Sequence, residues 1–129
     1  MTKHLLQLLL TVFVRTPSIG CAYAKMETSM SQQVIECVIF RLVDGTDPSG
    51  FARIAEDLNT WISRQPGFIA RALSCAADGE WIDHVTWASM EDAEAAATRL
   101  MDAAEAGPFM SAINPTSVTM RHATLAVTA

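Results

Sequence analysis

The chain has 129 residues, half of them hydrophobic, and a formal net charge of −5 at pH 7. This length fits one globular domain, and an acidic chain without a basic stripe repels phosphate backbones, which argues against nucleic acid as a partner. The three cysteines are scattered singly, so they indicate neither a disulfide framework nor a zinc site, and the sequence holds no dinucleotide fingerprint or nucleophile elbow.

The first thirty residues are predicted to lie outside the folded core. Their apolar run, Leu5 to Val14, is too short to span a bilayer as a stable helix. Two interpretations of this segment remain open. Ala22-Tyr23-Ala24 fits a signal-peptidase site, which would make the protein periplasmic or secreted. Alternatively, translation starts at Met26 or Met30, which would make the protein cytoplasmic.

One folded domain is predicted over residues 31–129, and it begins with a strand and a helix. Val34 to Leu42 carries apolar side chains on both alternating sets, as in a strand covered on both faces. Asp47-Pro48 supplies an N-cap and a proline at the first helical position. The apolar stripe from Phe51 to Ile62 predicts an amphipathic helix, which Pro66-Gly67 ends.

The second half repeats strands and a helix in a different order. Two alternating strands joined by a tight turn are followed by a capping box, an alanine-rich helix with its end signal, a short extra turn and a last strand. In chain order these features are Phe68 to Ala76, Asp78-Gly79, Trp81 to Ala88, Ser89 to Asp92, Ala93 to Ala104, Gly107-Pro108, Phe109 to Ile113 and Ser117 to Val127.

The order β-α-β-β-α-β predicts an α+β, ferredoxin-like fold with a four-stranded antiparallel sheet and two helices on one face. The strands are apolar or mixed on both faces, although two helices can cover only one. Only 18% of the residues are charged, where about 25% is usual. We therefore expect the second sheet face to be closed by another copy of the chain, which gives a homodimer.

Two stretches of the chain resemble the antibiotic biosynthesis monooxygenase-like (ABM) family of dimeric α+β barrels. They are Pro66-Gly67-Phe68, which leads into the second strand, and Trp87 to Ala93, which looks like the family's W-x-S-x-E-D-A pattern. The resemblance covers about residues 33–127. It implies a small domain that binds a small apolar or aromatic molecule, and a monooxygenase reaction on a quinol or phenol that needs no metal or flavin.

The helix after the tryptophan motif departs from the family's enzymes. It reads EDAEAAATRLMDAAEAG, with neither the histidine nor the tryptophan that the resemblance would place there. Haem breakdown is therefore not expected. The alternative function is a non-catalytic ligand-binding or interaction module.

His84, in the middle of the third predicted strand, is the candidate catalytic base, because an imidazole exchanges protons near neutral pH. Its neighbour Asp83 points to the other side of a regular strand, so the two do not form a dyad. The alternative for His84 is a structural histidine, hydrogen-bonded in a dimer interface or a cavity wall.

Five further residues are candidate ligand-binding groups. The aromatic ones line a pocket or belong to the core, and an arginine on a covered face must pair with a carboxylate such as Glu36 or Asp83, or hold an anionic ligand. A histidine on the last strand lies two strands from His84 if the strands order as 4-1-3-2. The candidates are Trp81, Trp87, Phe109, His122 and Arg71.

Overall fold

The computed structural model describes residues 32–129, and the predicted N-terminal segment lies outside them. The described part of the chain forms four strands, three helices and one 3-10 turn. In chain order these are β1 (Val34–Phe40), α1 (Pro48–Ile62), β2 (Phe68–Cys75), β3 (Trp81–Trp87), α2 (Met90–Leu100), α3 (Ala106–Ser111), the 3-10 turn (Pro115–Ser117) and β4 (Thr119–Thr124).

The four strands form one antiparallel sheet in the order β2-β3-β1-β4. This confirms the predicted ferredoxin-like α+β fold and the strand order 4-1-3-2. No helix within residues 32–129 is long and apolar enough to cross a membrane.

The two long helices begin where the sequence predicts. The Asp47 carboxylate accepts a hydrogen bond from the Gly50 amide at 2.9 Å, and Pro48 starts α1. At the second helix the Ser89 hydroxyl oxygen accepts from the Asp92 amide at 3.1 Å. These local contacts satisfy amides that have no partner inside a helix, so each helix start is encoded by its own few residues.

The two motif stretches pack against each other. Gly67 has a φ of 80°, and a Cβ atom at this position would collide with the side chain of Asp92. The Gly67 carbonyl accepts a hydrogen bond from the Ala88 amide at 2.7 Å. The turn before β2 and the start of α2 therefore require a glycine at their contact.

The second helix and the last strand are shorter than predicted. The predicted stripe runs on to Ala104, whereas α2 ends at Leu100. Gly107-Pro108 does not end this helix but lies in the first turn of α3. A proline is tolerated there because amides in the first turn have no hydrogen-bond acceptor inside the helix. β4 covers only Thr119–Thr124 of the predicted Ser117 to Val127, and its start is later because Ser117 belongs to the 3-10 turn capped by Asn114.

The helices cover one side of the sheet. The buried core between helices and sheet contains Phe40, Phe51 and Trp87, the largest side chains with less than 2% exposure. We call the opposite side the open face, and none of its strand residues is buried. By register these residues are Ile35, Cys37, Ile39, Ala70, Ala72, Ser74, Ile82, His84, Thr86, Thr119, Arg121 and Ala123.

Candidate functional site

A partly enclosed cavity lies between the helices and the covered face of the sheet. The space that the centre of a water molecule can occupy in this cavity is about 80 Å³. One water needs about 10–15 Å³ by this measure, so the space suits a group of roughly the size of one aromatic ring. Most of its wall is apolar, and the titratable side chains that line it are Glu36, Arg71 and Asp83.

The small residues of α2 leave this space open. Ala93, Ala96 and Ala97 all line the cavity, opposite Val85 on β3. Small side chains on a helix either allow close packing against a sheet or leave a void beside it. The structure shows both: Ala93 and Ala96 are buried in one cluster with Val85 and Trp87, and all three alanines border the cavity.

Arg71 and Asp83 form a buried ion pair across β2 and β3. Arg71 Nε donates to Asp83 Oδ1 at 2.9 Å, and Arg71 Nη2 donates to Asp83 Oδ2 at 2.6 Å. The side chains are only 3% and 10% exposed. Two parallel hydrogen bonds hold the guanidinium in one orientation. Of the two predicted uses of an arginine on a covered face, a carboxylate partner or an anionic ligand, the structure shows the carboxylate partner.

Glu36 and His122 form the second polar pair on the covered face. They lie opposite each other on β1 and β4, and His122 Nε2 is 3.0 Å from Glu36 Oε2. Their side chains are 14% and 8% exposed. Glu36 lines the cavity, whereas His122 contacts the Glu36 carboxylate without lining it, so this pair can exchange a proton with a bound molecule through Glu36.

Trp87 lines the same cavity and is 1% exposed. Its ring packs edge-on against Phe68, with centroids 6.0 Å apart. Its indole N–H has no hydrogen-bond partner among the described residues. A buried donor without an acceptor costs about 1–3 kcal/mol, so an acceptor on a bound molecule would relieve that cost.

His84 lies on the other side of the sheet. It is exposed on the open face, opposite Cys37 on β1 and Ala72 on β2. Residues an odd number of positions apart in a strand point to opposite faces. His84 is three positions from both Trp81 and Trp87, so the structure does not bring it together with them. The predicted base, His84, and its predicted pocket walls, Trp81 and Trp87, thus lie on opposite faces of the sheet, and the titratable groups that reach this cavity belong to the covered face.

The remaining candidates divide between the cavity and its surroundings. Phe109 and Arg71 line the cavity, and the Arg71 guanidinium carbon lies 5.4 Å from the centre of the Phe109 ring. Trp81 does not line it and packs in the aromatic core, 4.9 Å from Phe51 between ring centres. Glu36 was considered only as a partner for an arginine, although its alternation with Phe40 places it on the covered face.

Comparison with known proteins establishes the fold. No family model matches the chain, and no curated protein matches it. Two structures of SnoaB, a cofactor-independent oxygenase from Streptomyces nogalater, are similar to this chain at 16% sequence identity. The first, a mutant form, has a TM-score of 0.56 and covers 75% of this chain and 94% of the SnoaB chain. The second has a TM-score of 0.52 and covers 77% of this chain and 96% of the SnoaB chain. Protein SO0527 from Shewanella oneidensis matches at 15% identity with a TM-score of 0.52, over 74% and 92%. The chain shares the ferredoxin-like α+β fold of these structures. The fold that the two motif stretches implied is thereby confirmed.

Proposed function

We propose that the cavity binds a small phenol or quinol and that the protein catalyses its monooxygenation without a metal or flavin. The observation that carries this proposal is one apolar cavity whose lining includes both Trp87, a buried indole whose N–H has no acceptor among the described residues, and Glu36, a carboxylate. The similarity to a cofactor-independent oxygenase, SnoaB, supports the reaction type.

Binding rests on apolar contact and one directed hydrogen bond. The walls remove the ring from water, which is worth about 25 cal/mol per Å² of apolar surface buried. The indole N–H of Trp87 donates to an oxygen of the ligand and so gains the partner that it lacks among the described residues. A hydroxylated or carbonyl-bearing ring therefore binds better than a plain hydrocarbon of the same size.

Catalysis begins with proton removal. The Glu36 carboxylate takes the proton of the ring hydroxyl, and the resulting phenolate is electron-rich enough to react with dioxygen. One oxygen atom enters the ring and the other leaves as water, so that a phenol and O₂ give a quinone and H₂O, with the substrate supplying all four electrons. His122 keeps the carboxylate of Glu36 oriented while it gains and returns the proton.

Oxygen uptake by the purified protein with methylhydroquinone tests this proposal. We expect uptake above the rate without protein, and a fall of about 10²–10⁴-fold in Glu36→Gln, the usual contribution of a general base. Glu94→Gln removes an exposed carboxylate of α2 and serves as the matched control. Equal rates in the wild type and Glu36→Gln would refute the catalytic role.

A non-catalytic binding module is the second candidate. The observation in its favour is that both carboxylates of the cavity already have partners, Asp83 in Arg71 and Glu36 in His122. Binding of the hydroquinone under nitrogen without oxygen uptake in air would favour this candidate over the oxygenase.

The open face is proposed to be closed by a second copy of the chain. Its central strands carry the half-buried Ile35, Ile39 and Ile82, and Ile69 beside it in β2 is 44% exposed. Burying this apolar surface against an identical sheet is the simplest way to remove it from water. The homodimer therefore leaves the cavity of each copy on the outside of the paired sheets, under its own helices.

A further inference from the structure

Two spaces meet at one side chain. Beside the cavity, a groove of about 270 Å³ lies at the surface between α1 and β2. We call it the outer groove, and its wall contains Ala52, Ala55, Glu56, Asn59, Leu73 and Trp81. Arg71 lines both the cavity and the outer groove, so its guanidinium stands between them.

The Arg71 side chain is fixed on three sides. Asp83 holds it through two hydrogen bonds, and Nη1 donates to the Ala55 carbonyl at 3.1 Å and lies 3.4 Å from Asn59 Oδ1. Phe109 packs beneath the guanidinium. These contacts tie Arg71 to β3, α1 and α3 at the boundary between the two spaces.

The Arg71 side chain is held in place and cannot rotate away from the cavity at low cost. Movement of Arg71 toward solvent would leave the Asp83 carboxylate buried without its cation, which is costly in a low-dielectric interior. It would also break the bond to the Ala55 carbonyl. A ligand therefore meets Arg71 as a stationary boundary rather than as a flexible surface arginine.

We propose that Arg71, locked by Asp83, determines substrate size by closing the cavity against the outer groove. The pair limits the ligand to one aromatic ring, and without it the two spaces join into a longer site that accepts fused rings. This inference rests on the proposed binding of phenols and quinols in the cavity. It adds which members of that class are accepted.

The test compares two ligands and a charge-balanced variant. Dissociation constants for methylhydroquinone and for 1,8,9-trihydroxyanthracene are measured by calorimetry under nitrogen, so that binding is separated from oxidation. We expect the wild type to bind the single ring at least about tenfold more tightly, and Arg71→Ala/Asp83→Ala to shift this preference toward the three-ring ligand by about tenfold or more. Removing both charges avoids a buried carboxylate without a partner.

The chain offers a matched control and a second variant. Arg41 and Asp78 form an exposed ion pair at 3.0 Å, and Arg41→Ala/Asp78→Ala should leave the preference unchanged. Arg71→Lys keeps the positive charge beside Asp83 but cannot bridge Asp83 and Ala55 at once. It should fold even where the double variant does not, and should shift the preference in the same direction by a smaller factor.

The outcomes separate this inference from the proposed function. A wild type that binds the three-ring ligand as tightly as the single ring overturns the size limit, as do folded Arg71 variants with unchanged preference. A wild type that binds neither ligand overturns the proposed function, and the size limit with it. Tight binding of the single ring with a shifted preference in both Arg71 variants supports the two together.

Discussion

Asp83 and His84 are neighbours in the chain, yet their side chains lie on opposite faces of the sheet. Asp83 is buried in the cavity wall, where Arg71 holds it, whereas His84 is exposed on the open face. Because the cavity and the open face are separated by the sheet itself, a ligand under the helices does not touch His84. Chemistry in the cavity and contacts on the open face can therefore be altered independently.

Replacing His84 should leave catalysis intact. In His84→Ala we expect oxygen uptake with methylhydroquinone to stay within about twofold of the wild type, because the imidazole does not reach the cavity from the open face. Steady-state rates measured at the same protein concentration for the variant and the wild type check this. Loss of uptake in His84→Ala, with uptake kept in Glu36→Gln, would restore His84 as the base.

Breaking the buried ion pair from one side should destabilise the protein strongly. Arg71→Ala leaves the Asp83 carboxylate buried without its cation, which costs about 3–5 kcal/mol. The double variant Arg71→Ala/Asp83→Ala should cost less than the sum of the two single variants. Urea unfolding of all four proteins gives the coupling energy, expected at about 1–3 kcal/mol.

The exposed ion pair Arg41–Asp78 provides the comparison for this double-mutant cycle. Its side chains are 46% and 64% exposed, so solvent screens their attraction. We expect a much smaller coupling from the same four-protein cycle at this site. Equal coupling at the two sites would mean that burial does not strengthen the Arg71–Asp83 pair.

A charge placed on the open face should dissociate the proposed dimer. Ile39→Glu and Ile82→Glu each put a carboxylate in the middle of the surface that a second copy would bury. Sedimentation equilibrium at micromolar concentration should show a dimer for the wild type and a monomer for both variants. Thr60→Glu, on the exposed side of α1, is the control and should remain dimeric. A monomeric wild type would contradict the dimer.

The turn between β2 and β3 should make a pH-dependent contribution to stability. The pKa of Asp78 is lowered from 3.8, first because its carboxylate accepts a hydrogen bond from the Glu80 amide at 3.0 Å, and also because Arg41 lies beside it. A carboxyl whose pKa is lower in the folded state stabilises the fold above its unfolded pKa and loses that contribution as the pH falls through the folded pKa.

Asp78→Asn tests this contribution, because it keeps an acceptor oxygen and removes the charge. The urea midpoint of the variant should lie below that of the wild type near pH 6, and the gap should close as the pH falls below about 4. In an Arg41→Met background the gap near pH 6 should be smaller. A gap that stays constant with pH in both backgrounds would count against the lowered pKa.

The sequence predicted the parts of the fold that depend on neighbours in the chain. Asp47 and Ser89 cap their helices through residues three positions ahead, and the alternation along β3 places Trp87 and Asp83 on one face. The end of α2 was missed because the residues after Leu100 are themselves good helix formers. The helix that follows, α3, packs against α1, a contact between distant parts of the chain that no local pattern specifies.

The site was less predictable because its pairs join distant parts of the chain. Glu36 and His122 are 86 positions apart, and their contact follows from the register of β1 against β4, which no local pattern specifies. Arg71 and Asp83 are only 12 positions apart in the chain. Because Arg71 was predicted on a covered face, the sequence did indicate a carboxylate as a partner for it. The choice of His84 followed from residue type, whereas the decisive property was the face on which each residue lies.

The location of the ligand can be read from the indole signals of the three tryptophans in a proton–nitrogen NMR spectrum, with Trp87→Phe identifying the signal of Trp87. When methylhydroquinone is added under nitrogen, the Trp87 indole N–H should move downfield as it gains an acceptor, while the ring signals of His84 stay in place. Movement of the His84 signals with a stationary Trp87 signal would place the ligand on the open face and contradict the cavity as the binding site.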